Sequence, residues 1–532
     1  IPKLRTSKAD INALAPKGTI PQDIELPGYI AASGKFAGSI KNFTTHFNIN
    51  TDMGNAQLHA KMGGSAKTPS YTAHVDLSKV HVGKLLKRND VGELSLVLDL
   101  NGSGITPETA NAVVNGKILS AQYNNYNYQN IQLDGKFANQ TLELATSSPD
   151  SNAHFDIVAR ASIGGQYPSL TGNIDLKRID LQKLNFSDTE LKIAGLAVLD
   201  FPTLDPDYLN GTAVISSVQI ATDGKVLNMD TVQLAAQATD SSNYLRLTSE
   251  IISAELNGKY QLTQIGQAFI NEISKYYAFA PAKPTPPQHM QFHATVHDSK
   301  LLKELVPELK AFNTSTLNGV LNTDANNLTI HGNFPRIAYG DFNINNIQLN
   351  IGNRDTTALD YELNIANIQS PSIQLYNAAV TGNAADNLLH VSLFLRDSKN
   401  RDKYTIGGNF KAADGTYQFS LDPQQLLLNY DRWNVAADNL IQYGNAGIYI
   451  RNFVISNNGQ ALSANSISDT PNAPIKIAFK DFMLETLTRY AEQDTSLVGG
   501  LLNGTVELRN VTDSMQLEAN LAVSQLRYQK DL

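Results

Sequence analysis

The chain has 532 residues, no cysteine, and a formal charge of −8 from 42 Lys and Arg against 50 Asp and Glu. Scattered basic residues on an acidic chain exclude an extended phosphate-binding face, so no nucleic-acid partner is expected. The lack of cysteine excludes disulfides, thiolate metal sites and cysteine nucleophiles, and it suits an oxidising compartment outside the cytoplasm.

Residues 1–31 lack the basic-then-apolar order of a signal peptide, and no stretch reaches the roughly 18 apolar residues of a membrane span. The chain therefore reads as a mature fragment, with any anchor or signal outside it. From there on, period-two alternation dominates, as in strands with one buried face. Leu94, Leu96, Leu98 and Leu100 open the pattern, and Ile131 and Leu133 follow. Leu245 and Leu247, then Ile347 and Leu349, Leu363 and Ile365, Val391 and Leu393 continue it. Phe419, Ile477, Leu517 and Leu521 complete it. Helical spacing is confined to residues 82–87, 181–184, 264–277, 300–310 and 482–490. The string Leu/Val-Asn-Gly-x-hydrophobic begins at Val114, Leu209, Leu256, Leu317 and Leu502. Asn-Gly tolerates the positive φ of tight hairpins, which predicts five hairpin turns at these sites. The Pro-rich run 280–288 is the one linker-like segment. It divides the chain into a β segment 1–279 ending in a helix, a connector 280–288, and a second β segment 289–532.

Catalytic motifs are missing. There is no Walker A loop, G-x-G-x-x-G, H-E-x-x-H, G-x-S-x-G or EF-hand loop. An enzyme is not expected, and neither is a cofactor or a metal. His289, His293 and His297 would share one face of a helix and could then chelate zinc. Met290, Phe292, Ala294 and Val296 alternate with them, however, which is strand periodicity. In a strand, positions four apart lie roughly 13 Å from one another and cannot share an ion. The strand is the expected form. Trp433, the single tryptophan, reads as a packing residue.

The telling feature is one-sidedness. About 40 short strands and a handful of helices leave more apolar sheet face than helices can cover. The sheet either folds on itself into sandwiches or barrels, or it curls into a trough with an apolar lining. Evenly sized units of about 100 residues, joined by linkers, would mark tandem sandwiches. Only one linker is present.

Several runs resemble a known family. GELSLVLDLNGSG and VVNGKILSAQYNNYNYQNIQLDGKF are similar to the AsmA-like superfamily. The runs AVTGNAADNLLHVSLFLRDSKNRDKYTIGGNF at 379–410, LLLNYDRWNVAADN at 426–439, and residues 474–508 resemble the TamB (translocation and assembly module) branch in its Bacteroidota form. The resemblance implies an elongated antiparallel β-groove, a curled half-pipe with a hydrophobic interior and a few short helices. It implies a periplasmic protein of a Gram-negative bacterium, held to the inner membrane by an anchor outside this chain. Its implied partners are phospholipid acyl chains and an outer-membrane barrel of the BamA/TamA class. The expected lipid-binding lining is Leu96, Leu98, Ile131, Leu133, Leu245, Leu247, Ile347, Leu349, Leu363, Ile365, Val391, Leu393, Phe419, Ile477, Leu517 and Leu521. Two functions follow: a conduit moving phospholipids between inner and outer membranes, or an assembly factor that templates barrel strands by β-augmentation. A structural or adhesive surface protein is the third reading.

Overall fold

The structure, a computed structural model, describes residues 4–14, 21, 23–39, 41–65, 68–353, 356–371, 374–413, 415–488 and 498–528. It is mainly β, with 67% of residues in strands and 7% in helix, and the antiparallel sheet is open rather than closed into a barrel. The predominance of strands is what the alternation predicts; between a sheet closed on itself and an open one, which the alternation leaves undecided, the sheet is open. The chain divides into two compact units, Ile1–Glu250 and Ile251–Leu532.

The first unit is a meander. Strands from Tyr29–Ser39 through Asn210–Thr222 each pair with the next in sequence, many of them 10 to 13 residues long. One small hairpin strand, Lys225–Met229, interrupts the order, and Asn210–Thr222 pairs with both it and Val232–Ala238. The tight turns are made by polar pairs in the left-handed region. Asn124 and Asn125 have φ of 49° and 61°, and Asn139 and Gln140 have 51° and 58°. Two successive positive φ values match the right-handed twist of the flanking strands, and Asn tolerates them best after Gly.

The predicted Asn-Gly turns are not turns. All five pairs lie within strands: Asn111–Tyr123, Asn210–Thr222, Ile252–Lys259, Ser315–Asn322 and Val498–Arg509. Gly211 and Gly258 have φ of 135° and Gly504 has 125°, and a Cβ at any of them would meet the backbone of the partner strand. Glycine is used there for close approach between strands. The preceding Asn bonds sideways: Asn210 Oδ1 accepts from Ala238 N at 2.8 Å, and Asn503 Oδ1 from Asp481 N at 2.8 Å.

The second unit holds two ladders. The first runs from Ile252–Lys259 and His289–Val296 through Gln374–Ala385 and Thr416–Leu428 to Gly447–Arg451. The second has six strands, from Asn434–Val435 to Gln516–Tyr528. His289–Val296 is a strand, as its alternation predicts. His289 bonds Asp324 at 2.8 Å and His297 bonds Ser253 at 2.8 Å, each on its own neighbour.

Two apolar cores lie in this unit. In one, the helix Ile265–Ser274 rests on the apolar sheet face, with buried Ala268 and Tyr276 against Met290, Leu321, Leu328, Leu359 and Ala384. Its Phe269 meets Phe292 edge-on, ring centres 6.2 Å apart. In the other, the two ladders pack together around Trp433, whose ring lies 5.6 Å from that of Phe482. Trp433 is thus the packing residue expected of it.

The remaining helical expectations divide. Val82–Leu85 and Lys300–Leu305 are short helices, the latter capped by Ser299 Oγ accepting from Leu302 N at 2.9 Å. Residues 181–184 form a turn, closed by Leu184 N donating to Asp180 O at 2.9 Å. Phe482 lies in the strand Ile475–Met483, which is followed by the helical turn Glu485–Thr488, while residues 489–490 lie outside the described residues. The helix Lys8–Leu14 has no counterpart among the expectations. Residues 280–288 fall inside the second unit and run beside the helix, where Asn271 Nδ2 donates to Lys283 O at 2.6 Å.

Candidate functional site: an apolar sheet face

Residues directly opposite each other in an antiparallel ladder share a face. Register therefore assembles the faces strand by strand. In the first unit one row runs Gly34, Phe47, Leu58, Val75, Leu98, Gly116, Leu133, Thr146, Ile157, Ile174, Ala197, Ile215, Val232. Thirteen strands contribute one residue each, and twelve of the thirteen positions are apolar side chains or glycines, with Thr146 the single hydroxyl. Thr146 Oγ1 is satisfied by donating to Gln132 O at 2.7 Å. Beside this row run Leu77, Leu96, Ile118 and Ile131. Leu245 and Leu247 stand opposite Ala236 and Leu234. All six expected lining residues of this unit share one face, with Leu96 buried and the other five half-buried. Neither of the two apolar cores lies in this unit.

The second unit repeats the design. Ala254, Ala294, Leu317, Gly332, Leu349, Leu363, Val380, Leu393, Ile406 and Leu426 form one unbroken row over ten strands. Ile347 and Ile365 pair beside it, between Phe334 and Ala378. Val391 lies in the flanking row that holds Phe292, Ile330, Ile351 and Tyr361. The helix Ile265–Ser274 covers part of that flanking row, including Ile330 and Ile351. Leu317, Leu349, Leu363, Val380 and Leu393 remain half-buried, outside both cores.

The other expected residues are placed differently. Phe419 sits in the closed core between the two ladders. Ile477 lies in the six-stranded ladder between Ala464 and Val506. Leu517 and Leu521, on the final strand, are 62% and 44% exposed.

Cross-strand glycines shape the apolar face. Phe292 stands opposite Gly319, Tyr361 opposite Gly382, and Tyr71 opposite Gly102. In each pair the ring occupies the space that a Cβ on the glycine would need. The rings therefore lie down on the sheet. Burial pushes the Tyr361 hydroxyl up to about 12, and the hydroxyl donates to His390 O at 2.7 Å. Sequence reading missed these pairs, along with Phe47, Leu58, Leu317 and Val380. The last four carry the same alternation as the residues chosen, whereas an aromatic–glycine pair exists only across two strands.

The opposite face is polar. In the second unit, Glu255, His293, Asn318, His331, Asn350 and Glu362 stand in register. His331 and Asn350 bond at 2.9 Å, as do His390 and Asn409. In the first unit this face carries two shallow cavities of about 720 and 620 Å³. Among the described residues, no three His, Cys, Asp or Glu side chains are placed to hold a metal ion, and no helix is long and apolar enough to cross a membrane.

Comparison with known proteins gives no match: no family model, no curated protein and no solved structure is similar to the chain.

Proposed function

We propose that the chain is a lipid conduit of the bridge-like kind, binding phospholipid acyl chains along its apolar sheet face and passing them between the two membranes of a Gram-negative envelope. The observation that supports this is the apolar row in each unit, interrupted only by Thr146, half-buried over most of its length and backed by a polar face. Burying apolar surface is worth roughly 25 cal/mol per Å², so a face left half-covered by its own unit favours an apolar occupant. Acyl chains suit a long row because they need no hydrogen bonds and can shift along it in small steps. In this reading the protein is periplasmic, and no catalytic residue is needed.

Lipid extraction and mass spectrometry of the purified protein test the proposal. Glycerophospholipid should copurify. Leu363→Asp and Leu393→Arg should leave a folded protein with bound lipid reduced several-fold, since a charge in the row imposes a desolvation cost of several kcal/mol on a passing acyl chain. Gln348→Arg, exposed on the polar face, should change nothing. Ser392 does not serve as such a control: it is 5% exposed and donates to Gln425 Oε1 at 2.8 Å. Lipid-free protein, or lipid content unchanged in both row variants, would end the conduit reading.

One observation favours the second reading, an assembly factor acting by β-augmentation. The strand Gln516–Tyr528 pairs on one side only among the described residues, and its Leu517, Leu526 and Tyr528 are 62%, 65% and 72% exposed. An open edge with alternating apolar residues is a template for an added strand.

A further inference from the structure

The polar face of the first unit carries a histidine cluster that has no counterpart among the described residues of the second. Lys35, His46, His59, His74 and Asp99 stand in register on five successive strands. The rings of His46 and His59 are 3.7 Å apart, and those of His59 and His74 are 6.1 Å apart. His74 Nδ1 is bonded to Asp99 Oδ1 at 2.7 Å. Neither His46 nor His59 has a hydrogen-bond partner among the described residues.

The second unit shows how this sheet ordinarily satisfies an outward histidine. His293, His331 and His390 each stand beside an Asn carbonyl oxygen on the neighbouring strand. His46 and His59 have only each other. Both line the cavity of about 620 Å³, together with His74, Lys61, Thr44, Thr72, Asn101 and Asp99. Apart from Asp99, which is already engaged by His74, these side chains can all donate hydrogen bonds.

The charged and titratable groups on this face of the five strands are Tyr29, Lys35, Lys61, Asp76, Glu93, Asp99 and four histidines, of which His81 is paired with Glu93 at 3.2 Å. With neutral histidines the three carboxylates exceed the two lysines by one negative charge, which disfavours an anion. Histidine is the side chain whose charge changes between about pH 5 and 8. Two imidazolium rings with centres 3.7 Å apart and planes tilted by 46° repel one another unless an anion lies against them. An anion with several oxygens would accept charge-assisted bonds from both rings and from Lys61.

We propose that this trough is a binding site for a small oxyanion of the phosphate or sulfate type, occupied when His46 and His59 are protonated. The site lies on the face opposite the apolar rows, so it stands or falls independently of the lipid reading. Among the described residues, no three His, Cys, Asp or Glu side chains are placed to hold a metal ion, which sets the trough apart from a metal site.

Calorimetric titration of the whole chain with sulfate tests this, because sulfate keeps its double charge throughout the range used. Affinity should be at least ~10-fold tighter at about pH 5.5 than at about pH 8. His46→Asn recreates the His–Asn pairing of the second unit and should fold normally. It should also abolish the acid-dependent binding, while His331→Asn should leave it intact. Equal affinity at both pH values, or undiminished binding in His46→Asn, would overturn the proposal. So would a pH-dependent attachment to anionic vesicles with no binding of free sulfate, which would point to a membrane surface.

Discussion

At the scale of single residues, glycine does two opposite things in this sheet. Gly319 leaves room for the Phe292 ring, and a Cβ there would strike both that ring and the Thr329 carbonyl. Gly135 sits on the apolar face with nothing closer than 3.9 Å to a Cβ. Gly319→Ala should therefore destabilise the second unit by about 1–3 kcal/mol, because the ring must lift into an off-rotamer position. Gly135→Ala should be neutral or stabilise the first unit by up to about 1 kcal/mol, because it restricts the unfolded chain. Thermal melts of the two variants check both signs. The Asn-Gly strings belong to this scale too. Their composition was visible in the sequence, but the same dipeptide suits a tight turn and a close strand crossing. Only the neighbouring strand tells them apart: a Cβ at Gly258 would meet the His289 carbonyl beside its partner Met290. The actual turns at Asn124–Asn125 and Asp386–Asn387 use Asn and Asp without glycine.

At the scale of elements, strands were legible and their coverings were not. Alternation located His289–Val296, Phe342–Asn353 and Leu388–Arg396 because a one-sided strand writes its face into every second residue. It also placed Leu349, Leu363 and Leu393 on one face. It carried no information about Phe419, whose face is covered by a second ladder through Phe479 and Phe482. Nor could it show that the helix Ile265–Ser274 lies on the apolar sheet face, since an amphipathic helix does not name the surface it meets. That helix buries Glu272, 1% exposed, with Lys275 Nζ at 2.6 Å from one carboxylate oxygen. Its hold on the sheet must come from apolar contacts. Phe269→Ala should lower the stability of the second unit by about 3 kcal/mol through the lost ring and the space left behind. Denaturant unfolding measures this. A loss under about 0.5 kcal/mol, the range of ordinary surface changes, would show that the helix is only loosely seated.

At the scale of the molecule, nearly every strand pairs with its neighbour in sequence. Each unit is therefore stabilised like a repeat array, mainly through nearest-neighbour terms. Protection from hydrogen exchange should be graded: lowest in the edge strand Gln516–Tyr528 and highest in strands paired on both sides, such as Phe342–Asn353. Uniform protection along the second unit would contradict this. The meander also makes chain length an adjustable quantity over evolutionary time. Removing two consecutive strands, Tyr126–Ala138 with Thr141–Pro149 for instance, brings together neighbours that still run antiparallel. Losing one strand reverses every direction downstream, and gaining one residue within a strand turns its apolar side chains to the water. A lineage can thus lengthen or shorten the protein in steps of a hairpin without redesigning what remains, and the tolerated insertions and deletions should come in pairs of strands.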